Sequence, residues 1–162
     1  MKVIVFLDVD GVLNSHDTQE NGPSGCVGIE DRYVRQLGKI VHRWDAEIIL
    51  TSTWKDDWNK ESGWRSKDFL YLMDKLAKYN MKITDKTFDS TWGKRGKGIR
   101  YYLEQLGEDV AFVILDDYDF DFYQCGFSDN FVEICDEGLT GLRDFQVARA
   151  NEIIERQMKE VD

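Results

Sequence analysis

Residues 3–14 read VIVFLDVDGVLN, and this stretch decides the fold of the chain. Its apolar beginning is typical of a strand buried on both faces of a sheet. Asp8 and Asp10 then interrupt the pattern, and Gly11 allows the chain to turn away sharply. An ordinary turn would explain Asp10 and Gly11 but not Asp8, since aspartate is depleted in strands. Because a buried carboxylate must be compensated by a cation or by hydrogen-bond donors, the stretch predicts an acidic site at a strand end.

The length and composition fit one packed domain. The chain has 162 residues, of which 42% are hydrophobic and 32% charged, and its single proline offers no proline-rich linker. We therefore expect one domain over residues 1–162. Three cysteines without CxxC spacing indicate neither a disulfide framework nor a zinc site.

The charge and the beginning of the chain limit its partners and its location. Acidic residues outnumber basic ones, and the net charge of −10 disfavours non-specific binding to nucleic acid. The apolar run before Asp8 is too short for a signal peptide or a membrane span. We expect a cytoplasmic protein with no membrane contact and no obligate protein partner.

Strand and helix patterns alternate along the rest of the chain. Apolar periodicity predicts helices over 29–44, 69–79, 99–106 and 142–158, and further strands over 47–51, 81–84, 110–115 and 131–134. Polar loops are predicted over 15–28, 54–64 and 88–97, and the first of these leaves from the acidic strand end. Such alternation predicts an α/β fold with a mainly parallel sheet and helices on both faces.

Polar residues follow three of the predicted strands. Asp8 and Asp10 follow the first, Thr51 the second, and Asp116 with Asp117 the strand VAFVIL. Ligands of such sheets bind outside the carboxyl ends of the strands, so these side chains are expected to meet at one edge. Clustered carboxylates call for a hard divalent cation, and Mg²⁺ fits oxygen ligands together with a phosphate oxygen. The residues therefore predict a magnesium site that accepts a phosphorylated substrate, completed by the Thr51 hydroxyl and by a cation from the basic cluster 94–97.

These motifs resemble a known family. DVDGVLN is similar to the first motif of the haloacid dehalogenase (HAD) superfamily of phosphohydrolases, and the hydroxyl, basic and acidic motifs follow in that family's order. ILTSTWK, RGKGIRYYL, FVILDDYDFD and the late GLT resemble, more narrowly, the HAD domain of multi-domain RNA-repair ("Swiss army knife") proteins. The resemblance implies a HAD-like Rossmannoid three-layer sandwich, and neither of the family's insertion points leaves room for a cap domain.

The resemblance also implies a role for each motif. Asp8 is the implied nucleophile, which forms an aspartyl-phosphate, and Asp10 is the general acid and base. Thr51 matches the hydroxyl motif. The basic motif is ambiguous among Lys94, Arg95 and Lys97; we prefer Lys97, although relatives in the narrower group favour the position of Arg95. The implied metal ligands are Asp8, the backbone carbonyl of Asp10 and Asp117, while Asp116 supports these ligands without touching the metal directly. The implied substrate-binding residues are Ser52, Lys55, Arg95 and Asn14.

The predicted activity is Mg²⁺-dependent hydrolysis of a phosphomonoester. A site without a cap suits a phosphate on a macromolecule, and the RNA-repair resemblance favours a 3′-phosphate at an RNA or DNA end, against which the net charge of −10 argues. The alternatives are a small metabolite or a phosphoprotein as substrate. A non-enzymatic phospho-acceptor domain is the alternative from another class, since receiver domains also combine acids, a hydroxyl and a lysine on a parallel sheet.

Overall fold

A computed structural model describes residues 1–88 and 93–160. Residues 89–92 of the predicted connection 88–97, and residues 161–162 of the predicted domain, lie outside the described residues. The strands are β1 (Lys2–Leu7), β2 (Glu47–Leu50), β3 (Ile83–Lys86), β4 (Val110–Asp116), β5 (Phe131–Glu133), β6 (Cys135–Asp136) and β7 (Leu139–Thr140). The helices are α1 (Asp31–Trp44), α2 (Lys67–Ala77), α3 (Arg95–Leu106) and α4 (Asp144–Lys159), with a short 3-10 helix at Thr53–Asp57.

The five longer strands form one parallel sheet in the order β3-β2-β1-β4-β5. β1 lies at its centre, where Leu7 pairs with Leu50 of β2 and with Leu115 of β4. The residues that follow these three partners therefore leave the sheet side by side at its carboxyl edge. The predicted α/β fold with a parallel sheet is confirmed.

Alternate residues of β1 face two different layers. Val3, Val5 and Leu7 belong to the larger apolar core, which the apolar faces of α1, α2 and α4 complete. Ile4 and Phe6 point to the other face, where they pack with Ile99 of α3 and with Phe122. The period of two along the strand thus produces a three-layer sandwich, as expected.

Helix α3 and the hairpin β6–β7 are the clearest differences from the sequence-based prediction, and β3 also lies two residues later than the predicted 81–84. Helix α3 begins at Arg95, four residues before the predicted start, because Gly96 and Gly98 have low helix propensity and hide the first turn from the pattern. The hairpin β6–β7 was not predicted, since strands of two residues carry no periodicity. Its end is joined to the turn after β1 by backbone hydrogen bonds from Gly141 to Gly11 (2.8 Å) and from Leu142 to Val12 (2.9 Å).

The loop over residues 15–28 is fastened to α2. Ser24 hydrogen-bonds Asp68, and Glu20 accepts a hydrogen bond from the Tyr71 hydroxyl at 2.6 Å and pairs with Lys75 at 2.7 Å. Across residues 1–88 and 93–160, no cap domain stands over the carboxyl edge of the sheet. None of the helices described there has both the length and the apolarity needed to cross a bilayer.

Candidate active site

Asp8 lies at the centre of the carboxyl edge. Its backbone N–H donates to the Leu115 carbonyl at 2.9 Å, so the ladder between β1 and β4 continues one residue beyond the strand. Thr51 is held in the same way, by a 2.9 Å hydrogen bond to the Leu7 carbonyl. Asp8 is only 3% exposed, and its carboxylate is therefore removed from bulk water.

Arg95, the first residue of α3, neutralises part of this buried charge. Its Nη1 lies 2.9 Å from Asp8 Oδ1 and 2.6 Å from Asp116 Oδ2, so one nitrogen binds the carboxylates that follow β1 and end β4. The face of the Phe120 ring covers the guanidinium, with 4.2 Å between Cζ and the ring centroid. A weakly hydrated, planar cation suits this position better than an ammonium group.

Asp117 joins the two carboxylates that Arg95 binds. One carboxylate oxygen each from Asp8, Asp116 and Asp117 lie within 4.8 Å of one another. Gly11, at φ +82°, packs so closely against Asp117 that any side chain there would overlap the carboxylate. The glycine after the acidic stretch thus does more than turn the chain, because it also admits the acid from the neighbouring strand.

Burial and like charge raise the pKa of all three carboxyl groups. For Asp8 the loss of hydration raises the pKa to about 6, although Arg95 opposes the shift; Asp117 adds to it. Burial, followed by the charge of Asp8, raises the pKa of Asp116 well above its ordinary value. The pKa of the half-buried Asp117 is also raised, chiefly by burial. The single guanidinium does not balance three carboxylates in this environment.

Among the described residues, the Asp10 carboxylate is not part of this cluster, and it is held by two neutral donors. The Asn14 side-chain amide donates to Oδ1 at 2.9 Å, and the Trp54 indole N–H donates to Oδ2 at 3.0 Å. Asn14 itself accepts a hydrogen bond from the Gly11 N–H at 2.8 Å and is buried. Asn14, which is predicted to bind substrate, therefore also fixes the turn and the Asp10 carboxylate. Asp10 remains exposed to solvent, whereas Asp8 does not.

The residues after β2 lie at the same edge but differ in their partners. Thr51 is fully buried, and its Oγ1 has no hydrogen-bond partner among residues 1–88 and 93–160. Ser52 is also buried, and its hydroxyl accepts a hydrogen bond from the Trp54 N–H at the start of the 3-10 helix. Lys55 is 6% exposed, and its Nζ lies 3.4 Å from the Thr51 carbonyl.

The structure does not bring Lys97 to the acidic cluster, so our preference for it is corrected in favour of Arg95. Lys97 is exposed, and the hydrogen bond described for it is from its backbone N–H to Asp121, at 3.3 Å. Two residues along a helix rotate a side chain by more than half a turn, so when Arg95 faces the site Lys97 cannot. Lys94 precedes the helix and is half-buried.

Sequence reasoning missed three contributors to the site. Trp54 donates its indole N–H to Asp10 across 44 residues of sequence, a contact that no local pattern indicates. Phe120 covers Arg95, and Asp121 accepts hydrogen bonds from the first turn of α3. The spacing of FVILDDYDFD offered a hint, because acids and aromatics continue there beyond the pair that ends β4.

The residues present fit a hard divalent cation. Three carboxylates against one guanidinium leave an excess of negative charge, and the available donors are all oxygens. Oxygen-only sites select Mg²⁺ or Ca²⁺ over softer metals. The orphaned hydroxyl of Thr51 adds an unused donor at the same edge. The arrangement can therefore hold a cation and a phosphoryl group together.

One protein-family model matches residues 4–147, and its description is "HAD domain in Swiss Army Knife RNA repair proteins". The match covers β1 to the start of α4 and includes every residue of the acidic cluster as well as Arg95. Searches of curated proteins and of solved structures gave no significant match.

Proposed function

Because the chain belongs to the family of HAD domains in Swiss Army Knife RNA repair proteins, which implies a phosphatase-type hydrolase, we propose a Mg²⁺-dependent phosphomonoesterase that works through an aspartyl-phosphate. The observation that carries the proposal is the buried carboxylate of Asp8, held 2.9 Å from Arg95 beside Asp116 and Asp117. A buried, oriented carboxylate next to a fixed cation is the arrangement that a carboxylate nucleophile needs.

In the first half-reaction, Asp8 is the nucleophile. Arg95 binds Oδ1, so Oδ2 is the oxygen that we propose attacks phosphorus. The new bond forms as the bond between phosphorus and the ester oxygen breaks, and the leaving oxygen takes a proton from the Asp10 carboxyl group. Asn14 and Trp54 hold Asp10 in place for this transfer.

In the second half-reaction, Asp10 acts as a base. Its carboxylate takes a proton from a water molecule, whose oxygen attacks phosphorus and breaks the bond to Asp8. Inorganic phosphate leaves, and both aspartates return to their starting forms. The exposure of Asp10 gives it access to water, which the buried Asp8 lacks.

Other residues hold the phosphoryl group. Asp8, Asp117 and the Asp10 carbonyl are the proposed metal ligands, with Asp116 behind them. When bound, Mg²⁺ would neutralise phosphoryl oxygens and so lower the barrier to attack. The Thr51 hydroxyl and Lys55 are the proposed donors to the remaining phosphoryl oxygens, while Ser52 caps the 3-10 helix that carries Lys55.

We propose a macromolecular phosphate, namely the 3′-phosphate of a nucleic-acid end, as the substrate. The edge of the sheet carries no cap domain in the described residues, and the matching family is named for RNA repair. The net charge of −10 opposes tight binding to the rest of the strand, which favours recognition of the end itself.

Phosphate release from a panel of substrates tests this function. The panel contains an aryl phosphate, 3′-phosphorylated RNA and DNA, a phosphopeptide and small phosphomonoesters, each with Mg²⁺ and with a chelator. We expect Mg²⁺-dependent release, fastest from the nucleic-acid ends, and a loss of about 10³-fold or more in Asp8→Asn. Asp129→Asn, which changes an exposed acid outside the cluster, is the matched control.

Three outcomes would contradict the proposal at different levels. Preference for a small phosphomonoester or for the phosphopeptide would overturn the substrate but not the chemistry. Release that persists in Asp8→Asn would overturn the nucleophile. A long-lived aspartyl-phosphate without turnover would replace the enzyme with a phospho-acceptor domain.

A further inference from the structure

The first turn of α3 is bound to a buried carboxylate outside the acidic cluster. Asp121 is 3% exposed, and its two oxygens accept hydrogen bonds from the backbone N–H groups of Gly96 (2.6 Å) and Lys97 (3.3 Å). The first N–H groups of a helix have no partner within the helix, and a carboxylate there also meets the positive end of the helix dipole. Asp121 thus caps α3 from a distant segment, and the preceding residue, Lys94, provides no side-chain cap.

The same segment packs tightly against this turn. A side chain at Gly96 would come within 2.9 Å of Cys125 Sγ and 3.0 Å of Asp121 Oδ1, so only glycine permits the contact. One turn further along, Arg100 Nη2 donates to the Cys125 carbonyl at 2.6 Å. The segment from Asp121 to Cys125 therefore fixes both the rotation and the position of the beginning of α3.

Arg95 is the residue whose position depends on this contact. It is the first residue of α3, directly before the two N–H groups that Asp121 binds. The turn contains Gly96 and Gly98, so little in its own sequence keeps it helical. The guanidinium must nevertheless stay 2.9 Å from Asp8 and 2.6 Å from Asp116.

We propose that Asp121 is a positioning residue for the phosphoryl-transfer reaction, which acts through Arg95 by clamping the first turn of α3. The inference rests on the proposed function for its kinetic consequence, though not for the clamp itself. Asp121 is no part of the carboxylate cluster formed by Asp8, Asp116 and Asp117 in the described structure. Both of its carboxylate oxygens accept hydrogen bonds from the first turn of α3.

A double-mutant cycle with Arg95→Lys tests the kinetic consequence. We expect Asp121→Ala to lower kcat at least about tenfold with little change in KM, because a misplaced cation stabilises the transition state less. In the Arg95→Lys background the same change should have little further effect. Asp121→Asn, which keeps one acceptor oxygen for the Gly96 N–H, should recover part of the activity.

The matched control is Asp119→Ala. Asp119 belongs to the same segment and also accepts a backbone hydrogen bond, from the Phe122 N–H at 3.0 Å, but it does not bind α3 in the described contacts. Its loss should leave kcat nearly unchanged. Equal losses of kcat from Asp121→Ala in both backgrounds, or from Asp119→Ala and Asp121→Ala, would overturn the proposal.

The NMR signal of the Arg95 Nε–H group tests the clamp without an activity assay. A guanidinium buried against two carboxylates should give one sharp, slowly exchanging signal, assigned by its disappearance in Arg95→Lys. We expect this signal to broaden or to exchange faster in Asp121→Ala, and to a lesser degree in Asp121→Asn, but not in Asp119→Ala. An unchanged signal would overturn the clamp, even in a protein without phosphatase activity, and if Asp121→Ala does not fold the Asn variant decides.

Discussion

Two pairs of acids meet at the carboxyl edge of the sheet, and they are built differently. In the pair after β1, Val9 separates Asp8 from Asp10, whereas the pair that ends β4 consists of the neighbours Asp116 and Asp117. In each pair the first acid binds Arg95 and is buried, and the second does not bind it and is less buried. The register of β1 with β4 places the two first acids side by side.

The difference lies in what holds the second acid. Asp10 is bound by the neutral donors of Asn14 and Trp54 and faces water, while Asp117 turns back over Gly11 toward the cluster. One pair thus separates the buried, proposed nucleophile from the exposed, proposed proton carrier, and the other keeps both carboxylates near the proposed metal. Similar acidic motifs acquire different chemistry because of their partners.

Removal of Arg95 should have the largest effect on stability and activity, since Arg95 binds the first acid of each pair. Arg95→Ala leaves two buried carboxylates without their cation, which costs about 3–5 kcal/mol in the free energy of unfolding. The rate of phosphate release should fall by about 10²–10³-fold. Urea denaturation and initial rates measure the two effects.

Lys97→Ala is the matched control for this prediction. The exposed Lys97 lies two residues further along the same helix, and its loss should change the unfolding free energy by no more than about 0.5 kcal/mol. A larger loss of activity from Lys97→Ala than from Arg95→Ala would restore the sequence-based assignment of the basic motif.

The pH dependence of the free energy of unfolding should reveal the three acids of the cluster, because their pKa values are raised. Because burial raises the pKa of Asp8 to about 6, the folded metal-free protein binds a proton more tightly than the unfolded chain does. The contribution of Asp8 to stability is therefore present at low pH and is lost as the pH rises from about 4 to about 6, by about 3 kcal/mol. Asp116 and Asp117, whose pKa values are also raised, act in the same direction.

Mg²⁺ should reverse this loss, since it replaces the protons. We expect the rise in Tm on addition of Mg²⁺ to be small below about pH 5 and to grow through about pH 6. Thermal melts with and without Mg²⁺ measure it, and Asp8→Asn should weaken the dependence while Asp129→Asn leaves it intact. A Mg²⁺ effect that is the same at every pH would argue against a cation bound by the buried acids.

The smallest expected effect concerns the exposed acid Asp10. Trp54→Phe keeps an aromatic ring in a nearly buried position but removes the N–H that binds Asp10. Loss of this hydrogen bond should lower kcat about tenfold, which corresponds to about 1.4 kcal/mol. Trp58→Phe, at a tryptophan that stacks on Phe69 at 5.3 Å, should leave kcat unchanged. Equal effects of the two changes would mean that packing, and not the hydrogen bond, accounts for the loss.

Much of the site could be predicted because it follows from strand ends. The apolar runs before Asp8, Thr51 and Asp116 identify three strands, and in a parallel sheet their carboxyl ends share one edge. Local pattern was sufficient for this, and the fold class and family followed from the same residues.

The rest depends on contacts that local pattern does not contain. Which basic residue faces the site is set by the rotation of α3, and Asp121 fixes that rotation from 25 residues away. The bond from Trp54 to Asp10 and the role of Asn14 likewise follow from how the 3-10 helix approaches the turn after β1. The first turn of α3 contains two glycines, so it has too few apolar residues to be recognised from their periodicity.

The hydrogen bonds from Gly141 and Leu142 to the turn after Asp10 determine when, during translation, that turn can be completed. The ribosome makes the turn after β1 about 130 residues before it makes Gly141 and Leu142, so the carbonyls of Gly11 and Val12 lack these partners while that length of chain is added. β4, which flanks β1 in the sheet, also follows it by about 100 residues. A nascent chain therefore carries the acidic turn without the contacts that complete it until Leu142 has been added, and the proposed chemistry cannot begin before then.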